Sequence, residues 1–398
     1  MKRHLAVAVA VGSVAALVLA ACGKPPVPGS AKATPREGAS PTVSPSGSTV
    51  PLGMGLSQLA VLPGGTAWVS IEVGKKGWSK AWLYGTTDGG KTWKAMTVAG
   101  LGSVGYLRIF DAIHAVIVDE AGSAVYSTDD AGAHWWRYTL PVPADGTVPA
   151  SFVNTLEGWA LLIGNTGSSA LYHTADRGKT WDKVVVPSSY VYPGSVFFRD
   201  SRNGWLGHQG LSGPELFQTT DGGRSWRTVG LSAPPIYPGI VAFVGPVRAG
   251  GGALFTEVSV AEGSQAVGSP GSMYVYSSAD DGVHWTTGTR VWSGPTVDAG
   301  PPLIEVVSPT LWFAAIGDRL RVTGDAGRTW TTHSMASVPG FMVDELVLAT
   351  ATEGYLLRAR SSIWSCLHEC FRLERTTDSG ASWESVDFPE LPSLLPTQ

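Results

Sequence analysis

Charged side chains are scarce in this sequence of 398 residues, where Lys, Arg, Asp and Glu together make up 15%. The 28 basic residues are outnumbered by 32 acidic ones, the formal net charge is −4, and no basic run occurs. A nucleic-acid-binding surface needs clustered Lys and Arg to neutralise phosphates. The composition therefore argues against nucleic acid as a partner.

Cysteine is also scarce, and the first of the three, Cys22, follows an apolar N-terminus. Lys2 and Arg3 precede the uncharged run Leu5–Leu19, which is typical of a secretory signal and too short for a stable membrane span. The tetrapeptide Leu-Ala-Ala-Cys that ends at Cys22 resembles the lipobox of bacterial lipoproteins. The alternative is an ordinary secreted protein in which this Cys occurs by chance.

The lipobox resemblance implies that residues 1–21 are a signal peptide and that Cys22 carries a diacylglyceryl group. Two or more acyl chains anchor a protein durably, so we expect a lipid-anchored protein at the cell membrane, facing the extracytoplasmic side. Residues 22–50 are rich in Pro, Ser and Gly and have almost no large apolar side chains. This segment cannot bury a core and is predicted to be a disordered tether.

An eight-residue pattern, [S/T]-x-D-x-G-x-x-W, recurs throughout the rest of the chain, and we call each copy a box. The seven copies are TTDGGKTW, TDDAGAHW, TADRGKTW, TTDGGRSW, SADDGVHW, TGDAGRTW and TTDSGASW. The Asp carboxylate can accept hydrogen bonds from backbone amides that follow it, and the Gly permits a positive φ. Each box therefore predicts a tight turn between two antiparallel strands, with the Trp beginning the second strand.

The spacing of the boxes predicts the fold. The box carboxylates are Asp88, Asp130, Asp176, Asp221, Asp280, Asp325 and Asp378, separated by 42, 46, 45, 59, 45 and 53 residues. A period of about 40–50 residues suits one four-stranded propeller blade. We therefore predict an all-β, seven-bladed propeller of four-stranded antiparallel blades over residues 51–398. A long insertion is expected in blade 5 near Thr256–Ser272, and either Thr49–Leu52 or Pro389–Gln398 could add an edge strand.

From about Gly55 to Phe388, the chain resembles the Asp-box, or BNR, repeat propellers, and in particular the photosystem II stability and assembly factor family. Asp boxes also occur in sialidases, sortilin-type receptors and xyloglucan-degrading enzymes, where they lie at the rim and do no chemistry. The resemblance therefore implies an architectural role for the box carboxylates. It favours a scaffold or assembly-factor-like binding protein, which we expect to be a monomer without a cofactor or metal.

The face opposite the boxes is predicted to carry many aromatic side chains. They are Trp78, Tyr190, Tyr192, Tyr237, Trp292 and Trp364. Exposed aromatic side chains bring large contact area to recognition surfaces, so this face is a candidate binding surface for a protein or a glycan. The alternative is that these rings only cover the tops of the blades.

A basic patch is a further candidate. The photosystem assembly relatives carry an arginine patch, and this resemblance suggests that Arg319, Arg321, Arg358 and Arg360 form one near the central channel. The alternative is that these are ordinary solvated arginines.

Cys366 and Cys370 lie in the segment SCLHEC of blade 7. In an extended strand their Cα atoms would be about 13 Å apart, too far for a disulfide, but a turn would bring them within reach. Outside the cytoplasm, we expect a disulfide between them. A metal site with His368 is the alternative, although it offers only three close ligands. Thiol titration of the denatured protein separates the two, since two free thiols would exclude the disulfide.

A carbohydrate-active enzyme, sialidase-like or of another glycoside hydrolase type, is the alternative to a binding protein. A sialidase would have six blades and an F-R-I-P-like segment, which Leu107–Phe110 resembles only superficially. Other glycosidases need two facing carboxylates. The acidic residues considered for this role are Glu157, Asp200 and Glu353 in box-side bends, the scattered Asp298, Asp318 and Glu345, and Glu305. Glu305 or Asp318 would have to line the channel.

Overall fold

The computed structural model describes residues 53–75, 78–119, 123–142, 148–163, 169–187, 194–210, 214–232, 241–261, 270–295, 302–360 and 371–387. Residues 1–52, with the signal peptide, Cys22 and the tether, lie outside the described residues. So do Cys366, Cys370 and the tail Pro389–Gln398. Within the described part, no helix has the length and apolar character needed to span a membrane.

The chain forms a seven-bladed β-propeller with four antiparallel strands in each blade, as predicted. Blades 1 and 2 comprise β1 (Gly53–Leu62), β2 (Thr66–Lys75), β3 (Trp78–Thr86), β4 (Lys94–Met96), β5 (Val104–Ile109), β6 (Ala115–Asp119), β7 (Ala124–Thr128) and β8 (Trp136–Thr139). Blades 3 and 4 comprise β9 (Ala150–Phe152), β10 (Gly158–Ile163), β11 (Ser169–Thr174), β12 (Asp182–Val184), β13 (Gly194–Phe198), β14 (Gly204–Gly210), β15 (Glu215–Thr219) and β16 (Arg227–Gly230).

The remaining three blades follow the same order. In blade 5, the first of the four strand positions is shared by β17 (Val241–Val244) and β18 (Arg248–Gly250), which pair with the two ends of β19 (Ala253–Ala261), and β20 (Pro270–Ser278) and β21 (Thr289–Pro295) follow. Blades 6 and 7 comprise β22 (Leu303–Val306), β23 (Trp312–Ile316), β24 (Arg319–Thr323), β25 (Thr331–Ser334), β26 (Phe341–Leu348), β27 (Gly354–Arg360), β28 (Phe371–Thr376) and β29 (Glu384–Val386). The expected insertion in blade 5 lies in the long hairpin of β19 and β20. In addition, β14 pairs with β17, which joins the sheets of blades 4 and 5.

The position of a strand within its blade explains its composition. Second and third strands such as β6 and β7 are buried on both faces and read as continuous runs of small and apolar residues. Fourth strands such as β8 and β12 are short, polar and largely exposed, because they form the outer edge of the ring. The chain therefore runs outward from the central channel to the rim within each blade.

Each pair of consecutive blades encloses its own apolar cluster, and the ring is closed by one of them. Leu59 and Tyr84 of blade 1 pack in one cluster with Tyr355 and Leu373 of blade 7. Six further clusters fill the contacts between the other consecutive blades. Burial of one large side chain stabilises a fold by roughly 1.5–3 kcal/mol, so seven such contacts account for a closed ring.

Tryptophan side chains serve two different purposes in the ring. Trp68, Trp159, Trp205 and Trp312 lie on second strands and are fully buried between blades. The seven box Trp side chains are only half-buried, because they lie at the rim where each fourth strand begins. The apolar core therefore depends on the second-strand Trp residues more than on the box Trp residues.

Candidate functional site

The box carboxylates are saturated with hydrogen bonds from their own turns. In the first box, the Thr86 hydroxyl donates to Asp88 Oδ1 at 2.8 Å and accepts a bond from the Gly90 amide at 3.0 Å. The Thr92 amide and hydroxyl donate to the two Asp88 oxygens at 2.9 and 2.6 Å. The other boxes repeat this arrangement, with Nδ1 of His134 or His284 replacing the last hydroxyl in two of them.

Two successive residues in every box have positive φ. The second is the box Gly, as expected from the sequence. The first is a position that the pattern leaves open, occupied in chain order by Gly89, Ala131, Arg177, Gly222, Asp281, Ala326 and Ser379. Side chains at this open position point toward the preceding blade or the adjacent bend, as the ion pair between Arg177 and Asp129 shows.

These hydrogen bonds keep the box carboxylates ionised. Bonds from the Ser225 hydroxyl and amide lower the pKa of Asp221 to about 2. Equivalent donors lower the pKa to about 2 in Asp130, Asp280, Asp325 and Asp378. Such a carboxylate is a poor proton donor at neutral pH, which fits an architectural role.

A groove of about 640 Å³ opens between blades 3 and 4 on the box side. Its lining residues are Glu157, His173, Asp182, Lys183, Val184, Val185, Ser201, Arg202, Asp221, Gly222, Gly223 and Arg224. Blade 3 contributes the end of β11 and the outer strand β12, and blade 4 contributes its first bend and its box. The Gly222 amide donates to the Arg202 carbonyl at 2.9 Å, which holds the bend and box of blade 4 together.

We call the contact between two consecutive blades a seam and number it by the two blades. Seam 7–1 is filled by side chains at the position where seam 3–4 has the groove. In seam 7–1, Arg375 Nη2 donates to Glu353 Oε1 at 2.8 Å, and the Gly64 amide donates to Glu353 Oε2 at 3.2 Å. A Cβ built on Gly89 would lie 2.7 Å from Arg375 Cζ. The guanidinium therefore occupies the space that the absent side chain of Gly89 leaves.

His173 occupies in blade 3 the position that Arg375 occupies in blade 7. It pairs with Asp182 across the sheet as Arg375 pairs with Glu384, and each residue directly precedes a box Thr. The His173 ring contacts the Trp159 ring at an interplanar angle of 32°, with centroids 4.6 Å apart, and its Nε2 lies 3.2 Å from Glu157 Oε1. An imidazole is shorter than an arginine side chain, so the space beside Gly222 stays open.

Long side chains fill the two seams on either side of this groove. In seam 2–3, Arg177 forms an ion pair with Asp129 and lies over the Trp136 ring, 4.1 Å from its centroid. In seam 4–5, Arg227 donates to Gln218 and, at 3.3 Å, to the Gly282 carbonyl. The groove therefore lies where blade 3 has His173 and blade 4 has Gly222, whereas the two neighbouring seams are filled by Arg177 or by Arg227.

The groove lining has three basic side chains, Lys183, Arg202 and Arg224, and three acidic ones, Glu157, Asp182 and Asp221. Glu157 is engaged by His173, and Asp221 is engaged within its box. In the described part of the chain, Lys183, Arg202 and Arg224 have no carboxylate within ion-pair distance, and Arg202 and Arg224 donate instead to the backbone carbonyls of Thr220 and Asp221, at 3.4 and 3.2 Å. Because no carboxylate pairs with these cations, the guanidinium donors of Arg202 and Arg224 are available to a bound carboxylate.

Blades 2 and 3 carry four exposed large hydrophobic side chains, one of which, Val185, lines the groove. Ile113, Trp136, Leu156 and Val185 are 45%, 41%, 46% and 78% exposed, and we call them the apolar patch. Trp136 and Leu156 meet around Arg177, which lies over the Trp136 ring and donates its amide to the Leu156 carbonyl. Among the described residues, four of the six exposed large hydrophobic side chains belong to blades 2 and 3. Such a patch, next to a polar groove, is typical of an interaction surface.

A second charged cluster lies on strands near the channel in blades 5 to 7. Arg248 Nη1 lies 3.6 Å from Glu257 Oε1 and 3.7 Å from Glu305 Oε1. Burial raises the pKa of Glu305 to about 7 although Arg248 opposes the shift, and burial also raises the pKa of Glu257 and of Glu345. One guanidinium therefore ties carboxylates from blades 5 and 6 together. Asp318 does not join this cluster, because it lies exposed in the turn between β23 and β24.

The structure describes little of the aromatic face that the sequence predicts. Tyr190, Tyr192, Tyr237 and Trp364 lie outside the described residues, and Trp78 is described only as the first residue of β3. Trp292 is half-buried in β21 and packs against the apolar cluster of seam 5–6. The binding role of these six residues stays a prediction.

The four arginines of the predicted basic patch have different surroundings. Arg321 lies over the Trp330 ring, 4.6 Å from its centroid, and donates to the Val291 carbonyl at 3.3 Å. Arg358 is buried and donates to Glu374 at 3.0 Å, while Arg360 lies over the Phe341 ring at 4.9 Å. Arg319 is exposed at the start of β24. Two of the four guanidinium groups therefore serve contacts inside the propeller.

Sequence reasoning did not identify the groove, although the boxes contain a signal for it. Aligned on the box Thr, the preceding residue is Arg375 in blade 7 and His173 in blade 3, and Gly occupies the open position of the next box in both seams. Replacement of a long side chain by a short one opposite Gly indicates a gap. The acidic bends were located correctly, because Glu157 and Glu353 both lie on the box side.

Comparison with protein families gives one partial match. The Sortilin-Vps10 family, described as sortilin, neurotensin receptor 3, matches residues 81–192. This range includes blades 2 and 3 but is less than a third of the chain, so it does not assign the chain to that family. No curated protein matches the sequence.

Several solved structures are similar to this propeller. A structure of YCF48 bound to D1 peptide has 16% identity over 72% of this chain and 96% of that one, with a TM-score of 0.34. YCF48 from Cyanidioschyzon merolae has 14% identity over 62% and 89%, with a TM-score of 0.30. A prolyl endopeptidase has 12% identity over 84% of this chain and 50% of that one, with a TM-score of 0.50. At these identities the similarity shows the propeller fold alone.

Proposed function

We propose that this protein is an exported, lipid-anchored binding protein whose propeller recognises a protein partner without catalysing a reaction. The observation that carries the proposal is the apolar patch of Ile113, Trp136, Leu156 and Val185 beside the groove of seam 3–4. Three of these four side chains are aliphatic, which favours a protein partner, since glycans are bound mainly by aromatic and polar side chains. A propeller on a tether of residues 22–50 could reach such a partner above the membrane surface.

The partner proposal is tested by cross-linking the purified full-length protein to its native membrane extract and quantifying the adduct. Trp136→Ala together with Leu156→Ser should abolish a saturable adduct, because these residues supply central contact area. Val283→Ser is the matched control, since Val283 is 50% exposed on blade 5. An adduct that survives the first pair, or that Val283→Ser removes equally, contradicts the proposed surface.

The opposite face is tested in the same assay. Alanine at Tyr192, Tyr237 and Trp364 should leave the adduct unchanged if the partner binds on the box side. Loss of the adduct with an unchanged melting curve would instead move the binding surface to the aromatic face.

The non-enzymatic part of the proposal is tested with a panel of glycosidase substrates. We expect no turnover, because the raised pKa of Glu305 arises in a buried cluster tied by Arg248. Turnover that disappears in Glu305→Gln would show a carbohydrate-active enzyme instead.

Lipid anchoring depends on Cys22. Cys22→Ser should prevent incorporation of labelled fatty acid and move the protein out of the membrane fraction. If the wild-type protein incorporates no labelled fatty acid, the proposed lipid anchor is wrong, but the proposed binding function is unaffected.

A further inference from the structure

We infer that the groove of seam 3–4 binds an acidic segment of a partner polypeptide, with a carboxylate held between Arg202 and Arg224 and a neighbouring apolar side chain on Val185. The inference rests on the proposed function in taking the box side of blades 2 to 4 as the surface that meets a protein. It goes further by assigning the chemistry of what the groove holds.

The first argument is the matched seam. Seams 7–1 and 3–4 share a bend Glu, a box with two glycines, and a Val of the outer strand, Val386 or Val184, against the second box Gly. In seam 7–1 the cation is internal, because Arg375 lies against Gly89 and binds Glu353. In seam 3–4 that internal cation is missing, and the space it would occupy is open.

The second argument is where seam 3–4 has its cations instead. Arg202 is equivalent to Gly65 of seam 7–1. The Arg202 carbonyl accepts a hydrogen bond from the Gly222 amide, and the Gly65 carbonyl accepts the same bond from the Gly89 amide. Arg224 stands where seam 7–1 has Lys91, and Lys183 stands where it has Ser385. The cations therefore surround the opening rather than fill it. This arrangement leaves guanidinium donors available to an incoming carboxylate.

The third argument concerns the class of ligand. Val185 is 78% exposed at the edge of the groove, and the Trp226 indole donates to its carbonyl at 3.0 Å, which fixes the backbone there. The outer strand β12 pairs with β11 and, in the described part of the chain, with no strand on its other side. An extended peptide can pair with the free edge of β12, and its alternate side chains can contact Val185 and the cations. A small anion such as phosphate would use neither that edge nor Val185.

The probe is a fluorescein-labelled heptapeptide of alternating Glu and Leu, and its control has Gln in place of Glu. Binding to the full-length protein in detergent is followed by fluorescence anisotropy at about 50 mM salt, where screening is weak. We expect the Glu peptide to bind about tenfold more tightly than the Gln peptide. Arg202→Gln and Arg224→Gln should each weaken binding by about fivefold. Lys91→Gln, the equivalent change in seam 7–1, should have no effect.

The most discriminating variant is His173→Arg. An added positive charge would strengthen binding if attraction alone were responsible, whereas a guanidinium that fills the groove, as Arg375 fills seam 7–1, should weaken it by about tenfold. His173→Lys provides a second filling variant if the first fails to fold, whereas Gly222 is left unchanged, because a Cβ at this position would lie 2.9 Å from the Ser201 carbonyl oxygen.

Four results would overturn the inference. The first two are equal affinity for the Glu and Gln peptides, and unchanged or tighter binding of the Glu peptide by both filling variants. The third is that Lys91→Gln weakens binding as much as Arg202→Gln and Arg224→Gln do. The fourth is that phosphate or sialyllactose competes as effectively as the unlabelled Glu peptide. Failure here is distinguishable from failure of the proposed function. If the cross-linked adduct is lost on changing Trp136 and Leu156 but not on changing Arg202 and Arg224, only the assignment of the groove is refuted. If the peptide binds as expected but the adduct survives changes in the apolar patch, only the proposed surface is refuted.

Discussion

Seam 7–1 and seam 3–4 are built from nearly the same residues, yet one is closed and the other is open. Both have a Glu in the bend before the second strand, and both present Gly89 or Gly222 at the open box position. The side chain between them is Arg375 in the closed seam and His173 in the open one. In a repeat fold, a recess can therefore arise from the loss of bulk at one repeated position, with no new structural element.

The comparison also separates stability from recognition. The ion pair of Arg375 and Glu353 is internal, with side chains 24% and 13% exposed, and it lies in the seam that closes the ring. The cations of seam 3–4 are at the surface and have no carboxylate partner among the described residues. The closed seam therefore contributes to stability, whereas the open seam is available for a ligand.

The largest expected effect comes from removing the closing side chain. Arg375→Ala leaves Glu353 without its cationic partner, and we expect it to lower the free energy of unfolding by about 3 kcal/mol. His173→Ala should lower it by about 1 kcal/mol, since it removes the ring contact with Trp159 and the hydrogen bond with Glu157. Urea denaturation measures both changes. Equal losses would show that the two seams do not differ in the way described.

The charged cluster near the channel sharpens the comparison, because its contribution to stability depends on pH through the buried Glu305 carboxyl group. Burial raises the pKa of Glu305 to about 7, above its unfolded value, so the folded protein binds a proton that the unfolded chain has lost. The Glu305 carboxyl group therefore contributes stability that is present below about pH 4.5 and is lost as pH rises through about 7. Glu305→Gln should raise the free energy of unfolding near pH 8 by about 2 kcal/mol. Urea titrations of both proteins across this range provide the test, and parallel pH profiles would contradict the assignment to Glu305.

The smallest expected effect compares one box from each seam. Asp88→Asn and Asp221→Asn replace a carboxylate acceptor by an amide opposite the hydroxyl of Thr92 or Ser225. Both should lower the melting temperature by similar amounts, less than Arg375→Ala does, because the two turns have the same hydrogen bonds. A loss confined to one of them would show that the box contributes differently to the open seam.

Much of the fold could be predicted from the sequence, because each box determines its own turn locally. The residues of one box supply the hydroxyl, the carboxylate and the Gly with positive φ that the turn needs, so seven boxes gave the number of blades and their register. The preceding residue with positive φ was not predicted, since Ala131, Arg177 and Asp281 are not glycines. Their backbone conformation is imposed by the hydrogen bonds around them.

The groove was not predicted, because it depends on contacts between distant residues. His173 and Gly222 are 49 positions apart, and the exchange of Arg for His before the box Thr is visible only when the boxes of different blades are aligned. The channel cluster was anticipated only in part: Glu305 was considered, but its link to Arg248 crosses from blade 6 to blade 5. Aromatic content pointed instead to the opposite face, where most of the named residues lie outside the described part of the chain.

The most direct test of the central claim is a crystal structure of the His173→Arg variant. One side chain determines whether this seam is open, so the new guanidinium should lie against Gly222, bind Glu157 as Arg375 binds Glu353, and eliminate the groove. A guanidinium turned toward solvent above an intact groove would contradict the account.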